Sequence, residues 1–503
     1  MCKIFCKFAP DFEIFYSIVS KIMIDEKEII RRRDMRDAFT FTIDPADAKD
    51  FDDAISFEIL PSVSPEDGLS SVSDNDLSSS GEAVCQQSDP SAPAVYQIGV
   101  HIADVSFYVR PNTKVDDEAY QRGTSVYLVD RVIPMLPEEL CNDKCSLKPG
   151  EDKLCMSVVF TMDAEANVLK HKICRTVIRS DARLDYDQAQ DLIAPKHGND
   201  TATSRQRVDN ETTTNRDLNA RISQALTTLN ALALKLRAAR LAAGALAIEQ
   251  DEIRFRLDSN HHPVEIYFEQ PNEAHHLIEE FMLLANRTVA KSVGSGRPFV
   301  YRVHDLPDYD KLEEIKKFKR QFKMAHRSDN AAMQRAIDML TIRAQAKAVY
   351  STYNIGHYGL AFSHYTHFTS PIRRYPDLMV HRLVEKYILT GKKETMTREE
   401  MEMMCEHCSA CEQEAQQAER DSIKLFQTMW MEDKIGQILP GHITAITEFG
   451  FFVQLDESHC EGLVHMMTIE HPENFVLGDP VTVQVVRVDI NRAQIDFELA
   501  KNN

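Results

Sequence analysis

The alternation of apolar and polar positions divides the chain into strand-like, helical and barrel-like stretches. Phe39, Phe41 and Ile43 alternate with Thr40, Thr42 and Asp44, the period of two that marks a strand. Ile55, Phe57 and Ile59 repeat the pattern over 54–60, and Tyr96, Ile98 and Val100 over 95–102, so these two stretches predict paired strands. The Ser/Asp/Pro-rich segment between them, 61–94, has no Lys or Arg and few large apolar side chains, which predicts a disordered surface insertion. A Thr/Asn/Arg bias over 196–219 predicts a second polar loop. Helical patterning predicts helices near 22–33 and over 222–243, 272–293, 333–350 and 401–431. Past Gly436 the texture changes to short alternating runs punctuated by Gly441, Gly450, Gly462 and Gly478, the size and texture of a small five-stranded barrel.

A chain of 503 residues suits two or three domains and a large core. No apolar run is long enough to span a bilayer, and the first residues lack the apolar core of a secretory signal. Eleven cysteines, an odd number, predict reduced thiols in a cytoplasmic enzyme with no membrane association. The formal charge of −20 argues against a broadly basic surface, though not against a locally basic channel. Cys405, Cys408 and Cys411 share one side of a predicted helix. No second Cys/His pair stands at ligand spacing, so a buried thiol stripe explains them better than zinc.

Candidate chemistry concentrates in Asp44-Pro-Ala-Asp47-Ala-Lys-Asp50-Phe-Asp52-Asp53, five carboxylates in ten residues. Crowded carboxylates repel one another, and hard divalent cations are the usual reason to gather them. An EF-hand loop requires Gly at its sixth position and Glu at its twelfth. Lys49 and Ile55 stand there instead. Taken alone, the run leaves a cation site and a solvated acidic loop equally open.

Four ordered motifs close the choice: Thr42-Ile-Asp-Pro-Ala-Asp-Ala-Lys-Asp-Phe-Asp-Asp-Ala54, His101-Ile-Ala-Asp-Val-Ser106, Ile133-Pro-Met-Leu-Pro137 and His367-Phe-Thr-Ser-Pro-Ile-Arg-Arg-Tyr-Pro-Asp377. Together they resemble the RNB family of 3′→5′ exoribonucleases, nearer its ribonuclease R branch than its ribonuclease II branch, over residues 31 to about 500. The resemblance implies an α/β (α+β) catalytic domain over 37–433, with a twisted mixed sheet, surrounding helices and a helical extension at 391–433. It implies a short leader over 1–36 and an all-β OB-fold RNA-binding barrel, of the type named after ribosomal protein S-one, over 436–500.

Position by position, the family's active-site aspartates fall on Asp44, Asp50, Asp52 and Asp53, and Asp47 has no counterpart. The resemblance makes Asp52 the residue whose loss chiefly blocks cleavage, with Asp44, Asp50 and Asp53 holding magnesium (manganese is the alternative). Such sites pair two ions about 3.5–4 Å apart to activate water and stabilise the leaving oxygen. Arg373 matches the catalytic arginine and Arg374 is a second candidate for the phosphate. Glu419, in Gln417-Ala-Glu-Arg-Asp421, matches a glutamate near the active site. Tyr127 matches the tyrosine that stacks on the 3′-terminal base, and Glu279 and Tyr186 resemble residues that contact riboses. Ile248 falls where the family has an aromatic clamp. On the barrel, Phe449, Phe452 and His465 match the RNA-binding face, and one of Phe451 and Phe452 must be core because strand neighbours face opposite ways.

The basic run from Lys316 to Lys323 offers a solvated helix face or a phosphate path. Family members usually carry two cold-shock-type barrels ahead of the catalytic region, and ribonuclease R commonly ends in a basic tail. Their lack here predicts a looser grip on RNA and poor duplex unwinding. The resulting expectation is a monomeric, magnesium-dependent, sequence-nonspecific exonuclease that degrades single-stranded RNA to nucleoside 5′-monophosphates. Its rival is an RNB protein that grips RNA without cutting it.

Overall fold

A computed structural model describes residues 24–61, 94–194, 213–246, 251–324, 343–392 and 396–500, with isolated positions between 334 and 341; the side chains of 213–216 and 321–324 are excepted. The expected insertion at 61–94, most of the polar loop at 196–219, Ile248 and residues 1–23 of the leader lie outside the described residues.

The first body is a seven-stranded mixed sheet in the order β1-β8-β7-β4-β3-β2-β9. Its strands are β1 (Arg33–Met35), β2 (Thr40–Asp44), β3 (Asp53–Leu60), β4 (Val95–Ala103), β7 (Asp152–Asp163), β8 (Val168–Arg179) and β9 (Ala182–Asp185). The central strands pair antiparallel, while β1 runs parallel to β8 and β2 parallel to β9. Every residue of β2 is buried, the Thr40 and Thr42 side included, because the sheet is covered on both faces there. Between β4 and β7 lies a short hairpin, β5 (Val126–Tyr127) and β6 (Val132–Ile133).

The helices of the described residues include α1 (Tyr186–Ile193), α2 (Thr213–Ala242), α3 (Glu273–Gly294), α4 (Tyr309–Met324), α5 (Tyr375–Val384) and α6 (Arg398–Met431). Reciprocal caps start α1 at Asp185/Gln188, α3 at Asn272/His275 and α6 at Thr397/Glu400, which satisfies amide groups that would otherwise be orphaned. A ribbon of β10 (Glu252–Leu257) and β11 (Pro263–Glu269), and a pair of β12 (Tyr301–Val303) and β13 (Val349–Ser351), fill the gaps between helices.

The second body is the expected closed five-stranded barrel, β14 (Ile438–Thr447), β15 (Gly450–Leu455), β16 (Glu461–His465), β17 (Pro480–Asp489) and β18 (Gln494–Leu499), in the order β14-β15-β16-β18-β17. Gly450 opens β15 at φ +150, and a Cβ there would stand 2.0 Å from the Val464 carbonyl oxygen, so only glycine lets the turn at Phe449 close.

Helix α6 joins the two bodies. At about 1.5 Å per residue its 34 residues extend about 50 Å. Cys405 and Cys408 pack into the main core, Ala415 and Ala418 pack against the β5–β6 hairpin, and Met431 enters the barrel core. The three cysteines are therefore the buried stripe their spacing implies. Among the described residues no helix is long and apolar enough to cross a membrane.

Three element boundaries depart from the expectation. Of the predicted 22–33 helix, the described residues are helical over Glu26–Ile30, and Arg33 enters β1 because its backbone pairs with Thr176. The predicted 333–350 helix fails at its end: Tyr350 is in β13, opposite Arg302, and donates its amide to Ser409 Oγ at 2.9 Å. Helix α2 begins at Thr213, inside the expected polar loop.

Candidate active site

Strand order brings the carboxylates together. β2 ends at Asp44 and the antiparallel β3 begins at Asp53, so both fall at the same end of neighbouring strands. The connecting loop carries Asp50 and Asp52 across that end and is pinned from several sides. Ser146 Oγ accepts the Phe51 amide at 3.1 Å and donates to Lys49 O at 2.7 Å, and Leu147 N donates to Phe51 O at 3.0 Å. The Ala103 amide donates to Asp52 O at 2.8 Å. From β9, Arg183 Nη2 donates to Pro45 O (2.7 Å) and Ala46 O (2.9 Å), with its guanidinium carbon 5.2 Å from the Phe51 ring centre. Asp47 is exposed on the outer part of the loop, apart from the buried acids.

Asp52 is buried, and its Oδ1 accepts the Ile372 amide at 2.9 Å. Its Oδ2 lies 3.8 Å from Arg373 Nε. The Arg373 side chain is 41% exposed, with Nη2 donating to Ser370 Oγ at 3.1 Å. Its carbonyl accepts from Ser125 N and Thr124 Oγ1, both at 3.0 Å, tying it to the segment that leads into Tyr127. The Tyr127 amide in turn donates to Glu419 Oε1 at 3.0 Å. One chain of hydrogen bonds thus fixes Arg373, Tyr127 and Glu419 beside the aspartates.

Electrostatics confirm that proximity. Burial raises Asp44 to about 7, opposed by Thr42 and Arg183 and reinforced by Asp52 and Asp50. Burial also raises Asp50, Asp52 and Asp53; Asp44 adds to the rise at Asp53, while Arg373 opposes all three shifts. Glu419 is raised by burial, with the Tyr127 amide and Arg373 acting against it. Tyr127 and Tyr186 are both raised by burial, Tyr127 further by Asp50 and Asp52 and Tyr186 further by Asp53 and Asp44.

Asp44 Oδ2 and Thr42 Oγ1 are buried and make no hydrogen bond of good geometry. An unpartnered carboxylate oxygen among three other crowded acids suits a hard cation, which cancels the repulsion and takes oxygen ligands. Among the described residues no three His, Cys, Asp or Glu side chains close round a single point.

Arg374 departs from expectation. Its Nε and Nη2 grip Asp377 at 2.9 and 2.8 Å, and Asp377 is fully buried. That bidentate pair takes up the fork, so Arg374 braces the start of α5 and does not offer it to a phosphate. Glu279 is half-exposed on α3 and pairs with Arg240 at 3.2 Å; no contact of it with the aspartates is present among the described residues. On the barrel Phe451 is core, Phe449 is 69% exposed and Phe452 half-buried. His465, opposite Gly450 in register, is half-exposed and 3.4 Å from Asp496.

Two participants escaped sequence reasoning. The Ile372 amide leaves no side-chain signature. Arg183 acts on the backbone carbonyls of Pro45 and Ala46, a role that no local pattern in the sequence marks.

Residues 32–390 match the RNB domain family, and residues 432–500 match the S1 RNA binding domain. The chain belongs to the RNB family. Among its relatives, ribonuclease R of Aquifex aeolicus is 36% identical over 512 residues, covering 95% of this chain and 66% of that protein. The apo form of Mycoplasma genitalium RNase R superimposes with a TM-score of 0.81 at 25% identity, over 99% of this chain and 77% of that one. The same protein in complex with ribose-methylated single-stranded RNA gives 0.80 at 24% identity, over 97% and 75%. The chain spans between 57% and 66% of the length of the ribonuclease R relatives it matches.

Proposed function

We propose that this protein is a magnesium-dependent 3′→5′ exoribonuclease that degrades single-stranded RNA, without sequence preference, to nucleoside 5′-monophosphates. The observation that carries the reading is the convergence of four buried-edge aspartates with a part-exposed arginine, on the fold of the ribonuclease R relatives. Asp44, Asp50 and Asp53 would hold the cations, for which manganese is the alternative. When bound, they supply an activated water and charge stabilisation at the leaving 3′-oxygen.

The chain's own residues do the rest. Asp52 is held by the Ile372 amide and presents its free oxygen towards Arg373, placed to orient the attacking water. The planar guanidinium of Arg373 can bind two phosphate oxygens at once, so it grips the scissile group. Glu419 fixes the Tyr127 backbone, and the half-exposed Tyr127 ring is a stacking platform for the terminal base. Stacking reads any base, which suits a sequence-blind enzyme. Tyr186, which follows the register partner of Asp44 at the end of β9, would reach the sugar and its 2′-hydroxyl. Phe449, Phe452 and His465 would hold single-stranded RNA upstream, on the barrel. The eight free cysteines among the described residues are all buried, which suits a cytoplasmic setting.

The test is incubation of the full chain with 5′-labelled single-stranded RNA and Mg²⁺, alongside Asp52→Asn. Progressive shortening by the parent, and none by the variant that still binds RNA, is expected. A parent that binds RNA and never shortens it establishes the rival, a grip without cleavage.

A further inference from the structure

The Tyr186 ring does not stand alone. His275, three residues into the opening of α3, lies flat against it with ring centres 3.7 Å apart and planes 10° from parallel. The imidazole is itself locked by the reciprocal cap of α3: its Nδ1 accepts the Asn272 amide at 3.2 Å, and Asn272 Oδ1 accepts the His275 amide at 3.2 Å. Asn272 Nδ2 reaches back to the Tyr186 carbonyl at 3.5 Å. Gln190 of α1 accepts the Ala274 amide at 3.3 Å, so α1 and the N-terminus of α3 are bolted together at this stack. One face of the Tyr186 ring is therefore taken by His275, and Tyr186 follows Asp185, the register partner of Asp44, at the end of the sheet that carries the aspartates.

We infer that His275 is a specificity-determining positioning residue: by stacking on Tyr186 it fixes the phenol against the ribose of the terminal nucleotides, and so sets the preference for RNA over DNA. The inference rests on the reading of this site as an RNA-cleaving centre. It assigns His275 no contact with the reacting atoms. The stack needs a flat ring and not a titrating one. Phenylalanine therefore fills the role and alanine does not. A phenol free to turn about its side-chain bonds still fills the site but no longer presents its hydroxyl at one point. Discrimination between a 2′-hydroxyl and a 2′-hydrogen at that point then falls, while stacking of the base on Tyr127 and phosphate capture by Arg373 are untouched.

Two 5′-labelled oligonucleotides test this, one all-ribose and one with a single 2′-deoxynucleotide next to the 3′-end. kcat and KM are measured for the parent, His275→Ala and His275→Phe, with melting temperatures recorded. Dissociation constants for the same pair are measured in an Asp52→Asn background, where nothing is cut. The expected result is a roughly 3–10-fold fall in the ribose/deoxyribose ratio in His275→Ala, the size of one lost ring stack, carried by a slower ribose substrate and restored in His275→Phe. An unchanged ratio in His275→Ala overturns the inference, as does a folded His275→Phe that discriminates no better than His275→Ala. If the parent cuts neither oligonucleotide, the cleavage reading fails. The ratio of dissociation constants then still decides the role of His275.

Discussion

Replacing Asp44 by asparagine tests whether this end of the sheet is built for cations. The carboxylate is buried, its Oδ2 has no partner, and the shift from 3.8 to about 7 reports how much its charged form is disfavoured in the metal-free fold. A carboxylate raised on folding binds its proton more tightly in the folded than in the unfolded chain. Stability therefore falls as pH rises from about 4, and the whole deficit is present above about 7. At about 1.4 kcal/mol per pH unit, that span corresponds to about 4 kcal/mol as an order of magnitude. The substituted amide keeps the volume and removes the charge. In EDTA at pH 8, Asp44→Asn should then melt about 5 °C above the parent, given about 2 cal/mol/K of unfolding entropy per residue over a domain of this size. At pH 4.5 the advantage should shrink to about a quarter of that. Millimolar Mg²⁺ should raise the melting point of the parent more than that of the variant, since only the parent keeps the full ligand set. Thermal melts at the two pH values, with and without Mg²⁺, make the measurement. A variant that is no more stable than the parent in EDTA at pH 8, or equally stabilised at both pH values, refutes the argument.

Arg373→Lys keeps the positive charge and loses the planar fork, so kcat on single-stranded RNA should fall by about 10²–10³-fold with a smaller change in RNA affinity; kinetics beside equilibrium binding separate the two. Arg374→Ala strands the buried Asp377 carboxylate and should destabilise the fold by about 3–5 kcal/mol, read by urea unfolding. Unchanged stability there would return Arg374 to the substrate. Phe449→Ala should weaken binding of long single-stranded RNA by about 1–3 kcal/mol and leave the melting curve alone, whereas Phe451→Ala should cost the barrel about 3–5 kcal/mol of stability.

The residues that lie close in sequence were the ones legible without a structure. The Asp44–Asp53 run, the β2 alternation and the glycine-punctuated barrel each declare themselves within a few residues, because strand period and charge crowding are local properties. The expected boundaries failed where tertiary pairing overrode local preference. Tyr350 sits in a pattern that reads as helix, yet its amide is claimed by Ser409 and its backbone by Arg302. Arg373 and Arg374 are adjacent and equally charged, and motif register favours Arg373 as the phosphate ligand without showing what Arg374 does. What separates them is Asp377, buried within reach of one fork and not the other.

By itself, the sequence determined which residue types were available, the family motifs in order and the two-body division near residue 436. Only the tertiary structure decided that Asp44 and Asp53 share one end of antiparallel neighbours, that Arg183 and the Ile372 amide hold the loop between them, and that His275 lies flat on Tyr186. The physical reason is that electrostatic repulsion, hydrogen bonding and ring stacking act over a few ångströms of space. Asp52 and Ile372 stand 320 positions apart in the chain, and only folding brings them within that range.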